Sequence, residues 1–270
     1  MSKEIPILTV PKPSLIHMLG EGRSLFELGV TSVLMPCLLR APKGDNHPVM
    51  VLPGFLANDI STKPIRTFLK LKGYQTYGWG LGRNLGTEIV GGKNVVSDAL
   101  INRVLELSLK HDKKVSLVGW SLGGILAREV ARLLPDHVRQ VITLGSPFNG
   151  PDGSTSLASK LFGMINGDIV NTNPQAMLDM LLPPPVPTSS IYSRTDGVAH
   201  WQACLNQRIN ICDQAENIEV KGSHLGLGHN YQVIWIVANR LAQSEGKWQP
   251  YGKKAQEQFY ADTEQAKVES

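Results

Sequence analysis

Residues 115–124, VSLVGWSLGG, decide how the rest of the chain is interpreted. A short apolar run at 115–118 leads into the pentapeptide 119–123, and a helical pattern of apolar residues follows from Leu122 to Leu133. This is a G-x-S-x-G motif between a strand and a helix, the context in which the motif carries meaning. A sharp turn from strand to helix leaves no room for side chains two residues before and after the serine, so both positions need glycine.

Ser121, at the tip of this turn, is the candidate nucleophile. Its hydroxyl would stand above the sheet, and the Leu122 amide would point into the same space from a helix N-terminus, where negative charge is stabilised. The alternative is a chance match, because the chain contains 26 glycines. The flanking strand and helix patterns favour the functional interpretation.

Length and composition indicate a globular protein. The chain has 270 residues, of which 42% are hydrophobic and 19% charged, enough for one large core in a single domain. The net charge is only +4, and no dense Lys/Arg cluster is interleaved with aromatic residues, so we expect no nucleic-acid partner. The first residues lack the pattern of a secretory signal, which favours a cytoplasmic protein and leaves an exported mature form open.

The cysteines suggest a reducing compartment. There are three, Cys37, Cys204 and Cys212, and an odd, small number favours free thiols. Cys204 and Cys212 could pair if the protein were exported. The His, Cys and Asp residues show no clustering with metal-ligand spacing, so we expect neither a metal nor a cofactor.

Alternating strand and helix patterns predict an α/β fold. Continuous apolar runs, typical of strands covered on both faces, alternate with helical spacing, which implies a mostly parallel sheet with helices on both faces. The predicted strands are 49–52, 74–79, 115–118, 138–144, 189–193 and 217–220, and the predicted helices between them are 61–72, 93–110, 122–133 and 230–241.

Three regions lie outside this alternation. Residues 1–24 are expected to form an irregular arm with one short helix near 14–19, and residues 25–39 a buried helix packed against the main sheet. Residues 148–187 contain apolar helical fragments without a strand signal and are expected to form a helical lid, because a structureless loop of that length is unusual. Residues 245–270 are polar and predict a surface tail.

The candidate acid is Asp196. A serine nucleophile needs a histidine base, and that base needs an acid, with the order Ser, Asp or Glu, His along the chain. Asp196 directly follows a predicted strand in YSRTDGV, and Gly197 suits a tight turn. An ordinary Asp-Gly turn and Asp213 are the alternatives, whereas Glu216 lies too near the start of a strand.

The candidate base is His224, just past the last predicted strand. Its rivals are His200, which is close to Asp196 in sequence, and His229, which begins the last helix and is more typical of a capping role. The remaining histidines fall in linkers or on polar faces and are expected to be solvated: His17, His47, His111 and His137.

The expected oxyanion donors are backbone amides. Gly54 follows the first core strand and lets the backbone approach a substrate oxygen, so the Phe55 amide would act together with the amide of Leu122. Each donor of this kind contributes about 3 kcal/mol to transition-state stabilisation.

Five blocks together resemble the α/β-hydrolases of the esterase and lipase type: VLPGF at 51–55, GWSLGG at 119–124, GSPFNGP at 145–151, YSRTDGV at 192–198 and GSHLGLGHN at 222–230. They recur in the family's order across residues 49–241. The resemblance implies Ser121 as nucleophile, Asp196 as acid and His224 as base, with Phe55 and Leu122 as oxyanion donors. One departure is Pro53-Gly54, where many relatives have His-Gly.

These observations predict a carboxylic-ester hydrolase that acts through an acyl-enzyme. We expect its partner to be a small-molecule ester or lipid, with transient contact to a lipid surface. An acyltransferase would use the same residues, and a non-catalytic binding protein on the same fold is the alternative from another class. Trp120, Met164 and Leu178 are expected to line an acyl pocket that favours medium-chain esters over acetate, unless they only pack the insertion onto the body.

Overall fold

A computed structural model describes residues 10–89, 96–149, 179–206 and 214–252. Its strands are β1 (Pro48–Leu52), β2 (Gln75–Gly78), β3 (Val115–Trp120), β4 (Val138–Leu144), β5 (Thr188–Ser193) and β6 (Ala215–Val220). They form one sheet in the order β2-β1-β3-β4-β5-β6, and every neighbouring pair is parallel. The predicted α/β class with a parallel sheet is confirmed.

The helices are α1 (Leu15–Leu19), α2 (Ser24–Val33), α3 (Met35–Leu38), α4 (Lys63–Leu71), α5 (Asp98–His111), α6 (Leu122–Leu133) and α7 (Tyr231–Leu241). Short 3-10 helices cover Gly20–Arg23 and Trp201–Cys204. The predicted helices of the sheet region are present within a few residues of their expected ends. Helix α6 is almost wholly buried because it packs on β1, β3 and β4.

Two apolar cores lie on the two faces of the sheet, and β1 explains why its sequence is a continuous apolar run. Val49 and Val51 belong to the core shared with α4 and α7, whereas Met50 and Leu52 belong to the core shared with α5 and α6. Alternate side chains of a strand point to opposite faces, so a strand covered on both sides needs apolar residues throughout.

The expectation of one buried helix at 25–39 is wrong. The region forms two helices, α2 and α3, because Pro36 has no N–H to donate to the carbonyl four residues before it, which ends α2, while proline is tolerated in the first turn of the next helix. Much of the apolar surface faces outward, with Leu25 78% and Phe26 74% exposed. Helices α2 and α3 pack mainly on α7.

The expected lid lies mostly outside the described residues, which resume at 179. Its far end is fastened to the helix that follows the G-x-S-x-G motif. Arg128 Nη2 donates to the carbonyl oxygen of Leu182 at 2.8 Å, and Arg132 Nη1 donates to that of Pro183 at 3.3 Å. The buried guanidinium of Arg128 also lies 3.6 Å from the centre of the Phe148 ring. Both ends of the insertion are therefore tied to α6.

The start of the predicted surface tail is anchored to the body, and the remainder, from residue 253, lies outside the described residues. The Tyr251 amide donates to Glu216 Oε2 at 2.6 Å, and the Arg240 guanidinium lies 5.2 Å from the centre of the Tyr251 ring. These contacts place Tyr251 against β6 and α7.

Cys37 and Cys204 are buried free thiols, and Cys212 falls outside the described residues. Burial raises the pKa of the Cys204 thiol well above its ordinary value. Within the described ranges, none of the helices has both the length and the apolar composition needed to cross a bilayer. The same ranges hold no group of three or more His, Cys, Asp and Glu side chains arranged to bind a metal ion.

Candidate active site

The turn between β3 and α6 holds Ser121 in a strained backbone conformation, with φ 53° and ψ −121°. The glycines on either side are required by close contacts. A Cβ atom on Gly119 would lie 2.3 Å from the Cα of Gly124, and one on Gly123 would lie 2.5 Å from the carbonyl oxygen of Leu52. The predicted strand–turn–helix context of G-x-S-x-G is therefore confirmed, and with it the reason for both glycines.

Asp196 and His224 meet at the ends of β5 and β6, on the same edge of the sheet as Ser121. His224 Nδ1 lies 2.7 Å from Asp196 Oδ2, and both side chains are buried. The other carboxylate oxygen, Oδ1, accepts hydrogen bonds from the amides of Val198 at 2.8 Å and Ala199 at 2.7 Å. The turn thus holds the Asp196 carboxylate in place and leaves Oδ2 for the imidazole.

This contact defines the tautomer of His224. An ionised carboxylate only accepts hydrogen bonds, so Nδ1 carries the hydrogen and the Nε2 lone pair is left to accept a proton. Burial by itself lowers the pKa of His224, but the charge and hydrogen bond of Asp196, together with the charge of Glu21, outweigh it and raise the pKa above its ordinary value. The imidazole is thereby equipped to act as a base.

The end of β4 connects Ser121 to the Asp196–His224 pair. The Ser121 amide donates to the Leu144 carbonyl oxygen at 2.8 Å, and the next residue, Gly145, leaves space for the pair: its Cβ would lie 3.0 Å from Asp196 Oδ2 and 3.2 Å from His224 Nδ1. Among the described residues no hydrogen bond joins Ser121 Oγ to His224. Serine and base are commonly poorly aligned without substrate and tighten when it binds.

The two expected oxyanion donors flank the serine. A Cβ on Gly54 would lie 3.3 Å from the Ser121 Cβ, so the loop carrying Phe55 passes directly beside the nucleophile. The Leu122 amide is the first of α6, where helical N–H groups have no partner within the helix. Neither the Phe55 nor the Leu122 amide donates to a residue in the described ranges. The role of these two amides as oxyanion donors stays a prediction.

Asn84 holds this loop in shape, which the sequence did not reveal. Its fully buried side chain donates from Nδ2 to the Pro53 carbonyl oxygen at 2.8 Å. Its backbone carbonyl accepts from the Leu56 amide at 2.7 Å, and Leu56 is one of four non-glycine residues with positive φ in the part of the chain that the structure describes. A fully buried polar side chain in a glycine-rich loop indicates a residue that stabilises the loop through hydrogen bonds. Sequence reasoning missed this role because the burial of Asn84 cannot be read from one sequence.

The rivals for acid and base have other partners. His229 Nε2 contacts the Ser24 carbonyl oxygen at 2.9 Å, while Asn230 and not His229 caps α7. Glu216 forms a buried ion pair with Arg240 at 3.1 Å. His200 is half-buried, and its pKa is lowered by burial. Asp213 is outside the described residues.

Of the three expected pocket residues, only Trp120 is described, while Met164 and Leu178 lie outside the described residues. The Trp120 indole Nε1 donates to the His224 carbonyl oxygen at 3.1 Å, and a Cβ on Gly228 would lie 3.0 Å from the same ring. Trp120 therefore supports the loop that carries His224. A wall of the acyl pocket formed by these three residues stays a prediction.

The expectation of a solvated His47 is wrong. Its ring is 1% exposed, and it lies between Asp45 and Ser116, with Nε2 2.8 Å from Ser116 Oγ and Nδ1 bonded to Asp45. This second Ser-His-Asp set lies at the opposite end of the sheet, where β1 and β3 begin. His47 is buried because it directly precedes β1, although the segment before it, 41–46 (APKGDN), is polar.

Comparison with known proteins gives a consistent account of the fold. Residues 86–177 match a family described as PGAP1-like alpha/beta domain, and no curated protein matches the sequence. The structure is similar to Aspergillus fumigatus lipase B, with a TM-score of 0.57 and 16% identity over 82% of this chain and 61% of that chain.

Two further similar structures have other activities in their names. A thioesterase domain from the curacin biosynthetic pathway has a TM-score of 0.51 and 15% identity, over 75% of this chain and 93% of that chain. The pyrethroid hydrolase PytH has a TM-score of 0.50 and 15% identity, over 75% of this chain and 99% of that chain. Likeness at these identities establishes the fold and not the substrate. Together with the parallel sheet and the strand–turn–helix around Ser121, these similarities show that the chain has the α/β-hydrolase fold.

Proposed function

We propose that the chain hydrolyses carboxylic esters through an acyl-enzyme formed on Ser121. The observation that carries this proposal is the buried hydrogen bond between Asp196 Oδ2 and His224 Nδ1, beside a serine in a strained turn. A carboxylate that holds an imidazole in this tautomer is the arrangement that activates a serine hydroxyl. The names of the similar structures, which include a lipase and a pyrethroid hydrolase, support an ester substrate.

In the first half of the reaction, Ser121 Oγ attacks the ester carbonyl carbon while its proton passes to His224 Nε2. The carbonyl oxygen becomes an oxyanion that accepts hydrogen bonds from the Phe55 and Leu122 amides, each contributing about 3 kcal/mol. Asp196 stabilises the imidazolium, in agreement with the raised pKa of His224. The tetrahedral intermediate then collapses, and the leaving alkoxide takes the proton from Nε2, which leaves an acyl-enzyme and a neutral histidine.

In the second half, His224 Nε2 removes a proton from water, and the resulting hydroxide adds to the acyl carbon. The same two amides bind the second oxyanion. When this intermediate collapses, Ser121 Oγ leaves and takes the proton back from Nε2, so the carboxylic acid is released and the enzyme is regenerated. No step requires a redox group.

Residues 148–187 are proposed to cover the acyl group, which favours medium-chain esters.

The test is hydrolysis of p-nitrophenyl esters with acyl chains from acetate to octanoate, with a thioester as a comparator. Ser121→Ala should remain folded and lose turnover by a factor on the order of 10⁶, because the nucleophile is removed and nothing else changes. A fluorophosphonate should label the wild-type protein at Ser121 and should not label this variant.

The matched control is Ser116→Ala, which removes the hydroxyl of the other Ser-His-Asp set. We expect it to keep wild-type turnover, since Ser116 is buried at the far end of β3. If Ser121→Ala retained a tenth of the wild-type rate, or if Ser116 carried the fluorophosphonate, the proposal would be overturned.

A further inference from the structure

The segment that precedes the sheet makes a set of polar contacts with the two loops that carry Asp196 and His224. We call residues 194–199 the acid loop and residues 221–230 the histidine loop. Glu21, which is 8% exposed, accepts hydrogen bonds from both. Its Oε1 binds the Gly197 amide at 2.8 Å and the His224 amide at 3.0 Å, while Oε2 binds the Leu225 amide at 2.9 Å.

Neighbouring charged residues reinforce the same connection. Arg23 Nη2 donates to both the carbonyl oxygen and the hydroxyl of Thr195, each at 2.8 Å, in the acid loop. Glu27 Oε1 accepts from the Ser223 amide in the histidine loop at 2.8 Å and pairs with Arg23 Nε at 3.2 Å. An ion pair on this segment therefore joins the residue before Asp196 to the residue before His224.

Packing at these loops leaves no room for larger residues. A Cβ on Gly197 would lie 2.4 Å from the His17 carbonyl oxygen, and a Cβ on Gly226 would lie 1.8 Å from Glu27 Oε2. The segment thus closes against both loops with backbone and carboxylate atoms at contact distance.

We propose that Glu21 is a positioning residue that fixes the distance and orientation between Asp196 and His224, an inference that rests on the proposed esterase function. Three backbone N–H groups from two separate loops converge on one buried carboxylate. Hydrogen bonds to an ionised acceptor are about twice as strong as neutral ones, and a buried carboxylate is costly without them. The two loops are not consecutive in sequence, so a shared acceptor couples their positions.

Glu21 also places a negative charge beside His224. Together with Asp196, it raises the pKa of His224 against the effect of burial. The ionisable groups on the elements packed around His224 are Arg194, Asp196 and His200 on the acid-loop side, His17, Glu21, Arg23 and Glu27 on the preceding segment, and Lys221 and His229 on the histidine loop itself. Glu21 is the one among them whose carboxylate binds the His224 amide itself.

The decisive variant is Glu21→Gln, which keeps the shape and removes the charge. An amide has one acceptor oxygen. In the place of Oε1 it keeps the bonds from the Gly197 and His224 amides, but only as weaker bonds to a neutral acceptor, and the NH₂ group then faces the Leu225 N–H, which loses its acceptor. We expect kcat to fall about 10- to 100-fold with KM within twofold, the effect of a small misplacement of the base. The acid limb of the kcat/KM profile should move to lower pH, because the lost charge no longer raises the pKa of His224.

Glu21→Asp separates position from charge. It keeps the negative charge but shortens the side chain, so kcat should fall while the acid limb moves less than in Glu21→Gln. The matched control is Glu129→Gln, which removes a buried glutamate paired with Arg132 on α6, away from both loops. We expect this control to keep the wild-type kcat and pH profile.

A readout independent of turnover is the NMR titration of the His224 ring, which should give a lower pKa in Glu21→Gln than in wild type. An unchanged kcat and an unchanged pKa of His224 in folded Glu21→Gln would overturn the proposal. Loss of the fold in both Glu21 variants, scored by circular dichroism, would also overturn it, because Glu21 would then serve folding. If the wild type hydrolysed no ester, the esterase proposal would fail, and the titration would still decide the role of Glu21.

Discussion

The molecule contains two Ser-His-Asp sets, one at each end of its parallel sheet. At the carboxyl ends of the strands, His224 Nδ1 contacts Asp196 Oδ2 at 2.7 Å. At the amino ends, His47 Nδ1 contacts Asp45 and Nε2 lies 2.8 Å from Ser116 Oγ. In both sets the carboxylate binds Nδ1, so both imidazoles have the tautomer whose Nε2 accepts a proton.

The serines differ in their backbone and in their partners. Ser116 lies inside β3 at 0% exposure, and its hydroxyl is bound to His47. Ser121 follows the end of the same strand with φ 53°, and its hydroxyl has no hydrogen bond to any residue in the described ranges. A hydroxyl that is already bound and enclosed cannot meet a substrate. The presence of Ser, His and Asp in contact is therefore not enough to indicate a catalytic serine. The two sets differ in where the serine lies, because Ser116 is inside β3 and Ser121 follows its end.

The histidines differ in charge as well. The pKa of His47 falls to about 4, chiefly because burial disfavours the imidazolium, and the hydrogen bond that its ring donates to Asp45 does not compensate. Arg139, which is paired with Asp45 at 2.7 Å, lowers it further. The pKa of His224 is raised, because Asp196 and Glu21 outweigh burial. One end of the sheet suits a neutral structural histidine, and the other suits a base.

The largest contrast is expected from removing the charge of each aspartate. Asp196→Asn should lower kcat by about 10⁴-fold, since the amide no longer holds His224 in the productive tautomer. Asp45→Asn should leave kcat within twofold and lower the melting temperature. The measurement is ester hydrolysis together with thermal unfolding of both variants. A similar loss of kcat in the two variants would remove the distinction between the two ends.

A smaller effect is expected at Gly145, whose φ is 54°. In Gly145→Ala the new methyl group would lie 3.0 Å from Asp196 Oδ2 and 3.2 Å from His224 Nδ1, and we expect kcat to fall about 10²-fold by displacing the base. Gly246 also has positive φ, at 75°, but a Cβ there meets no atom within 4 Å. Gly246→Ala therefore shares the backbone strain without the contact and should keep full activity. Equal activities of the two variants would contradict the close approach.

The smallest effect is expected in the pH dependence of the free energy of unfolding, to which His47 contributes. Because the pKa of His47 is about 4 in the folded protein and 6.5 when unperturbed, the unfolded chain binds a proton more readily between these values. Stability from His47 is therefore fully present above pH 6.5 and falls as the pH drops towards 4, by about 3 kcal/mol at most. His47→Gln should show a weaker pH dependence of the free energy of unfolding in this window, measured by urea denaturation. An identical slope would contradict the lowered pKa, because it would mean that His47 has the same pKa in the folded and the unfolded chain.

The sequence predicted those features of the fold that are determined by residues close to each other along the chain. The continuous apolar run of β1 and the glycines around Ser121 each report a steric or burial requirement that acts within a few residues. The contact between Asp196 and His224 could be expected because parallel strands bring their carboxyl ends to one edge, where residues just past strand ends lie close together.

The features that sequence reasoning missed depend on contacts between distant segments. Glu21 meets the His224 amide across 203 positions of the chain, and Asn84 Nδ2 meets the Pro53 carbonyl across 31. His47 was expected to be solvated because its neighbours are polar, although its burial comes from the strand packed beside it. Leu25 and Phe26 were expected to be buried for the opposite reason, since hydrophobicity alone does not say which face is covered.

The strained backbone at Ser121 reduces the free energy of unfolding of the whole domain. A residue with a side chain at φ 53° and ψ −121° costs about 1–3 kcal/mol relative to an unstrained one, and glycine would be accommodated there most easily. Selection for stability alone would thus favour glycine at this position. A serine in that conformation lowers the stability reserve of the whole domain, a disadvantage that only a use for its hydroxyl would offset.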